Sequence, residues 1–513
     1  MKQYQIFALL LLLLLSCTKE EIDQPFTTPV SKEYSIAEIN EFIESKTKNN
    51  TIFDWSVAPT DMILSAATLS DQIIAIGYTV DDGVDISTII GIGDQLPNSF
   101  MQKRDAILET IITNERLTSG NPDLEAADIL PFEIDDEIPT LAVKITSLST
   151  LELLRTDPTI RYVEPMGYDP IDIQEKQFKS SSGCGGQPSS INSADYSRTD
   201  IFSAKIPWNF RNHNIQNAWS SSNGNNIGIC IIDTGASDSQ DNLGSQFASG
   251  NSKNRYIRKY STKYSGIWWG KKKDSPHDQC GHGTAMAGLA AGPWSTDGNA
   301  LGVAYQANVI SVRAVQDVLI SSSNEKNGVK DALKLAGRRS DVKIVSMSIG
   351  NIISSGTVKD GVYYAYNRGK LLLAAAGTST SFLNWTGVIF PANMSQTTAV
   401  TGVKAQHTYK RCNTCHSGSK VDFTIQMQRS FDSKRNSVAI TAKSNGSSYI
   451  SGSSAATATT AGIAALVWAT NPSMSRNNVL QRLKLASDLY PSRNGSYGWG
   501  NINAQAAVGE TRD

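Results

Sequence analysis

The sequence predicts an α/β protein, a mostly parallel sheet with helices on both faces, preceded by a small α+β domain. Three observations predict it. From Ile206 onward, short apolar runs at 227–232, 308–314, 343–348, 371–376 and 397–403 are separated by Ala- and Gly-rich stretches long enough for crossover helices, the connection that parallel strands require. In most of those runs apolar residues stand side by side, as in Ile231-Ile232, Val309-Ile310, Ile344-Val345 and Leu371-Leu372-Leu373, rather than strictly alternating, as in strands covered on both faces. The 513 residues, 40% hydrophobic and 19% charged, supply at least one large core and two to four domains, which excludes a disordered or fibrous chain.

Taken in order, Lys2, the apolar run 6–15 and the small residue Ser16 make residues 1–16 a secretory signal peptide. That run is too short to span a bilayer, and no later one is longer. Leu14-Leu15-Ser16-Cys17 resembles the lipobox of bacterial lipoproteins. The resemblance implies acylation of Cys17 and a protein held at the outer membrane or cell surface by its N-terminal lipid; an ordinary cleaved signal with an incidental cysteine is the alternative. Lys19-Glu20-Glu21 resembles the acidic tag that directs some Gram-negative lipoproteins to the surface. Residues 17–32, polar with two prolines, read as a tether. Residues 33–170 form a first folded region, with strands over 71–80, 140–145 and 160–164 and helices over 99–117 and 148–156. This β-α-β-α-β order is ferredoxin-like, with room for one more strand before Thr140. Residues 171–204 are rich in Ser, Gly and Asn without periodicity, the composition of a protease-accessible linker. Residues 205–510 carry the parallel sheet.

The 47 basic and 48 acidic side chains balance, so no net field draws the molecule to nucleic acid or an anionic membrane, and nucleic acid is not an expected partner. Export implies an oxidising compartment. Beyond Cys17 stand Cys184, Cys230, Cys280, Cys412 and Cys415. Cys230 lies inside the apolar run 227–232, where a buried free thiol is expected, and the other four allow three pairings. Cys412-Asn413-Thr414-Cys415-His416 has the spacing of c-type haem attachment, but a disulfide within the pair or to Cys280 fits the context better. Zinc on the two thiolates and His416 would need a fourth ligand that the sequence does not identify. From Asn242 to Lys273 there are eight Lys or Arg and no Asp or Glu, around Trp268-Trp269; this reads as a solvated surface insertion or as a patch for an acidic partner.

Three small-residue segments carry chemistry. Ile231-Ile232-Asp233-Thr234-Gly235 is a buried strand ending in a carboxylate at the sheet edge where α/β ligands bind. Gly281-His282-Gly283-Thr284 puts a histidine at the head of a small-residue helix, and Gly452-Ser453-Ser454-Ala455 puts a serine at the start of another. A seryl hydroxyl is a poor nucleophile until a base takes its proton, and that base needs a carboxylate to fix its tautomer and steady the imidazolium. Asp233, His282 and Ser454 supply those parts.

In that order the three segments resemble the Asp-Thr-Gly, His-Gly-Thr and Gly-Thr-Ser-Met-Ala-Thr-Pro motifs of the subtilisin-like serine proteases, the subtilases. Residues 302–313, Ser346-Met347-Ser348-Ile349-Gly350 and Tyr497-Gly498-Trp499-Gly500 extend the likeness. The resemblance implies a secreted serine endopeptidase acting on protein or peptide substrates through an acyl-enzyme. Ser346, Ser348, Gly350, Ala375 and Gly377 would line the substrate. No cofactor is implied for the chemistry, and structural calcium is left open and unassigned. Ile160-Arg161-Tyr162-Val163-Glu164-Pro165 resembles the end of the family's inhibitory propeptide, implying a self-processed zymogen whose own propeptide is a partner. The sequence departs from the family at Thr378, where an asparagine commonly donates to the oxyanion; a hydroxyl is shorter, and losing that donor costs about 10² to 10³ in rate. Two rival readings follow: a surface pseudoprotease that binds peptides, and a peptide ligase or dedicated processing enzyme using the same residues.

Overall fold

The structure, a computed structural model, describes residues 32–170, 184, 186–266, 272–378, 387–406 and 409–509. The expected signal peptide, Cys17, the tether up to 31, Trp268-Trp269 and most of 171–185 lie outside the described residues.

The first region opens with α1 (Ile36–Lys46), where Ser35 and Glu38 close a reciprocal capping box, and α2 (Thr60–Thr68). Then come β1 (Ile73–Tyr78), α3 (Asn98–Ser119), β2 (Thr140–Lys144), α4 (Leu148–Thr156) and β3 (Ile160–Pro165). The sheet order is β2-β1-β3, antiparallel throughout. The additional strand allowed for before Thr140 does not form: Asp135 Oδ1 accepts from the amides of Glu137 and Ile138 at 3.0 and 3.1 Å, using in a turn the donors a ladder would need.

The second region is built on seven parallel strands, β4 (Gly228–Asp233), β5 (Ile257–Ser261), β6 (Asn308–Arg313), β7 (Val342–Met347), β8 (Leu371–Ala375), β9 (Thr398–Ala405) and β10 (Val421–Arg429), in the order β10-β9-β8-β7-β4-β6-β5. The five expected runs are the inner strands. The two edges, β5 and β10, are absent from the sequence reading: β5 (Ile-Arg-Lys-Tyr-Ser) is mostly polar, and β10 alternates apolar with polar residues. Along β4, Ile229 and Ile231 face one core and Cys230 and Ile232 the other. On the first face lie α5 (His282–Ala291) and α8 (Gly452–Thr470). A Cβ on Gly462 of α8 would come 2.7 Å from Ala290 O of α5, so these helices pack at a distance that only small residues permit. On the second face lie α6 (Ser323–Arg338) and α7 (Gly356–Asn367).

Glu33–Asp513 form one compact unit, because the first region docks on α6 and α7. Arg161 donates to both oxygens of Asp360 at 2.9 and 2.7 Å. Glu164 accepts from Gly356 N, the first amide of α7, at 2.9 Å, a favourable place for a carboxylate. The Tyr162 ring fills a slot between two glycines: a Cβ on Gly77 or Gly356 would lie 2.1 or 2.4 Å from its Cε1. Lys326 Nζ reaches Met166 O at 2.8 Å, and Asn351 Nδ2 reaches Asp169 Oδ2 at 2.6 Å.

Candidate active site

Each candidate residue stands at the carboxyl end of the sheet. Asp233 is the last residue of β4 and fully buried. Its Oδ1 accepts from Thr234 N at 2.8 Å and from His282 Nδ1 at 2.8 Å. A carboxylate only accepts, so Nδ1 carries the proton and Nε2 is the basic nitrogen. His282 opens α5 behind Gly281, whose φ of 99° admits the sharp turn into the helix. Burial works to lower the pKa of His282, but the charge and hydrogen bond of Asp233, then Asp278 and Asp317, raise it above 6.5.

Ser454 is the third residue of α8, entered through Gly452 at φ 93°. Its Oγ donates to Ser348 O at 3.3 Å, and Ser348 Oγ returns a bond to Ser454 O at 3.0 Å. Its amide lies in the first turn, where helix N–H groups lack intrahelical acceptors. Thr378 follows β8 and lies close by: a Cβ on Gly452 would sit 3.2 Å from Thr378 Oγ1.

The expected substrate positions divide. Ser346 is buried within β7 with an unpartnered Oγ. Ser348 bonds to Ser454 as described. Gly350 is engaged on both backbone groups, donating to Val318 O at 3.1 Å and accepting from Ile320 N at 3.3 Å, so a peptide pairs with it only after that contact opens. Ala375 ends β8, and Gly377 O accepts from His416 N at 3.0 Å and Ser453 Oγ at 2.6 Å.

Cys184 pairs with Cys280, two residues before His282, and Cys412 pairs with Cys415. Cys230 is the buried free thiol, pushed up to about 12 by burial. The second disulfide takes both thiols away from haem or zinc. His416 Nδ1 donates to Gly387 O at 2.9 Å, and burial pulls its pKa to about 4. Among the described residues no three His, Cys, Asp or Glu side chains are grouped to hold a metal ion. The basic run is partly turned inward: Arg255 is buried against the Tyr305 and Ala291 carbonyls, Lys259 pairs with Asp238, and Lys263 with Asp274.

Sequence reasoning missed Asp278. Its Oδ1 accepts from Thr234 Oγ1, Cys280 N and Gly281 N at 2.9, 3.0 and 2.7 Å, and its Oδ2 from Thr284 N and Oγ1 at 2.8 and 2.7 Å. The available signal was a carboxylate four residues ahead of a histidine that starts a helix.

Residues 224–500 match the Subtilase family, Peptidase_S8. The chain belongs to the subtilase family. This subtilase is 25% identical to thermitase of Thermoactinomyces vulgaris over 292 residues, 57% of this chain and 91% of thermitase. It is 24% identical to M-protease of Shouchella clausii (strain KSM-K16) over 462 residues, 88% of this chain and 96% of that one. In fold it resembles fervidolysin from Fervidobacterium pennivorans, a keratinolytic enzyme related to subtilisin, with a TM-score of 0.59 at 16% identity over 85% of this chain and 60% of that one. As a subtilase the protein is a serine-type endopeptidase, and the family's chemistry needs no cofactor.

Proposed function

We propose that the protein is a secreted endopeptidase made as a zymogen, with Ser454 as nucleophile, His282 as general base and Asp233 as its orienting carboxylate. The observation that carries this is the buried 2.8 Å bond from His282 Nδ1 to Asp233, which leaves Nε2 free to take the Ser454 proton. Ser454 Oγ turns from Ser348 O to His282, attacks the scissile carbonyl and forms the acyl-enzyme, while the protonated imidazole releases its proton to the leaving amine. The Ser454 amide and the α8 dipole stabilise the oxyanion, with the Thr378 hydroxyl as the second donor.

The first region serves as the propeptide. Supporting this, Glu164 and Met166 accept from Gly356 N and Lys326 Nζ in the first turns of α7 and α6, the same end of the parallel sheet as the catalytic residues. The match to M-protease also extends well beyond 224–500. Residues 1–16 direct export, and acylated Cys17 holds the precursor at a bacterial outer membrane or cell surface, a reading supported by the apolar run 6–15 and the lipobox-like Leu14-Leu15-Ser16-Cys17.

The test is Ser454→Ala in the full chain. Peptide hydrolysis should fall about 10⁶-fold and precursor processing should stop, and a fluorophosphonate probe should label wild type alone. Activity in purified Ser454→Ala would overturn the assignment. Thr378 favours the pseudoprotease as the rival reading, and failure of the probe to label wild type would support it.

A further inference from the structure

We infer that Asp278 is a positioning residue of this reaction: it locks the Asp233 turn to the first turn of the His282 helix and stabilises the imidazolium from a second side. The inference rests on the triad reading above. Asp278 is 3% exposed and both its oxygens are used. One bond goes to Thr234, the residue after Asp233, whose Oγ1 in turn accepts from Gly283 N at 2.9 Å. The remaining four go to Cys280, Gly281 and Thr284, on both sides of His282. Thr284 Oγ1 also accepts from Ser237 N at 2.9 Å, so one carboxylate holds together the loop after β4 and the start of α5. A shift in either would misplace the histidine against its aspartate.

All five donors are neutral, so the Asp278 charge is solvated by dipoles but not cancelled by a cation. A buried carboxylate in that state favours a positive charge forming beside it, and the reaction forms one on His282. The other charged groups around His282 are Asp233 at the end of β4 and Asp317 beyond β6. Arg313 at the end of β6 is tied to the His277 carbonyl, Gln279, Gln316 and Asp274, and His277 faces Asp238. Asp241, on the short turn against α5, is exposed. Residues 452–470 of α8 and the strand Ser437–Ile440, which also pack on α5, contain no ionisable side chain.

Asp278→Asn keeps the shape and removes the charge. The neutral imidazole is the active base, so weakening the imidazolium moves the acidic limb of kcat/KM to lower pH, by about half a unit to one unit. The plateau kcat should fall about 10-fold with KM within about 2-fold, because the lost interaction belongs to the transition state. Thr284→Val removes one bond to Asp278 but keeps its charge, and should leave the limb in place. In parallel, the His282 ring is titrated by NMR in full-length Ser454→Ala with and without Asp278→Asn; with 5 histidines in the chain, its signal is assigned by His282→Gln. A His282 titration that Asp278→Asn does not move overturns the inference, as does a limb that moves equally in Thr284→Val. Failure of the fluorophosphonate probe to label Ser454 in wild type would overturn the protease reading instead, while the ring titration remains readable.

Discussion

In the proposed mechanism the hydrogen bond from His282 Nδ1 to Asp233 fixes the tautomer of the base, and the carboxylates of Asp233, Asp278 and Asp317 together set the pH at which it works. Because its neighbours raise the His282 pKa above 6.5 and the base must be neutral, kcat/KM should rise with pH through a limb lying above 6.5. A pH profile on one peptide substrate checks this, and a limb below 6 would contradict it. Thr378 supports a second expectation. Its hydroxyl lies beside Gly452 at the start of α8 and can give one bond to the oxyanion, so Thr378→Val should lower kcat about 10-fold to 10³-fold with little change in KM. Thr378→Asn should keep or raise activity; an unchanged kcat in Thr378→Val would place the second donor elsewhere. Asp233, His282 and Ser454 were legible because each sits in its own local turn, with glycines and small residues that only a crowded sheet edge requires. Asp278 and the engagement of Gly350 by Val318 and Ile320 were not, since their meaning lies in partners brought near by the fold.

At the scale of elements, the inner strands were legible because burial on both faces leaves adjacent apolar pairs such as Val309-Ile310, Ile344-Val345 and Leu371-Leu372, whereas β5 and β10 pair on one side only and read as mixed sequence. The β3–α7 contact carries a pH dependence of its own. Burial lifts the Glu164 carboxyl from 4.5 to about 7, against the hydrogen bond from Gly356. A carboxyl whose pKa is raised on docking favours the docked state while protonated. That contribution is complete below 4.5 and is lost as pH rises through about 7, a difference of about 3 kcal/mol. The thermal midpoint of full-length Ser454→Ala should therefore fall between those values more steeply than that of the same protein with Glu164→Gln. Parallel curves would show that the buried carboxyl does not govern docking.

Across the whole molecule, the first region covers part of the second rather than standing beside it: Ile353 and Tyr364 belong to the core of the first. From Gly186 onward the described chain is already part of the second region. Lys443 N donates to Gly186 O at 3.0 Å, Asp195 pairs with Arg429 and Arg435 at 3.0 and 2.6 Å, and Tyr196–Arg198 pairs with Lys205–Pro207. For the proposed zymogen the processing cut is therefore expected before Cys184, although the composition reading extended the linker to 204. N-terminal sequencing of the active enzyme checks this, and a start between 190 and 204 would contradict it. The Cys184–Cys280 bond closes a loop across 96 positions, and this makes the two sides of residue 184 topologically different. Scission upstream gives two linear pieces that part once their contacts loosen, and the N-terminal one keeps whatever Cys17 carries. Scission between 184 and 280 gives a branched molecule whose N-terminal arm stays fastened to the histidine loop until a reductant opens it. On a denaturing gel the first outcome shows two bands with or without reductant, and the second shows one band that reductant splits.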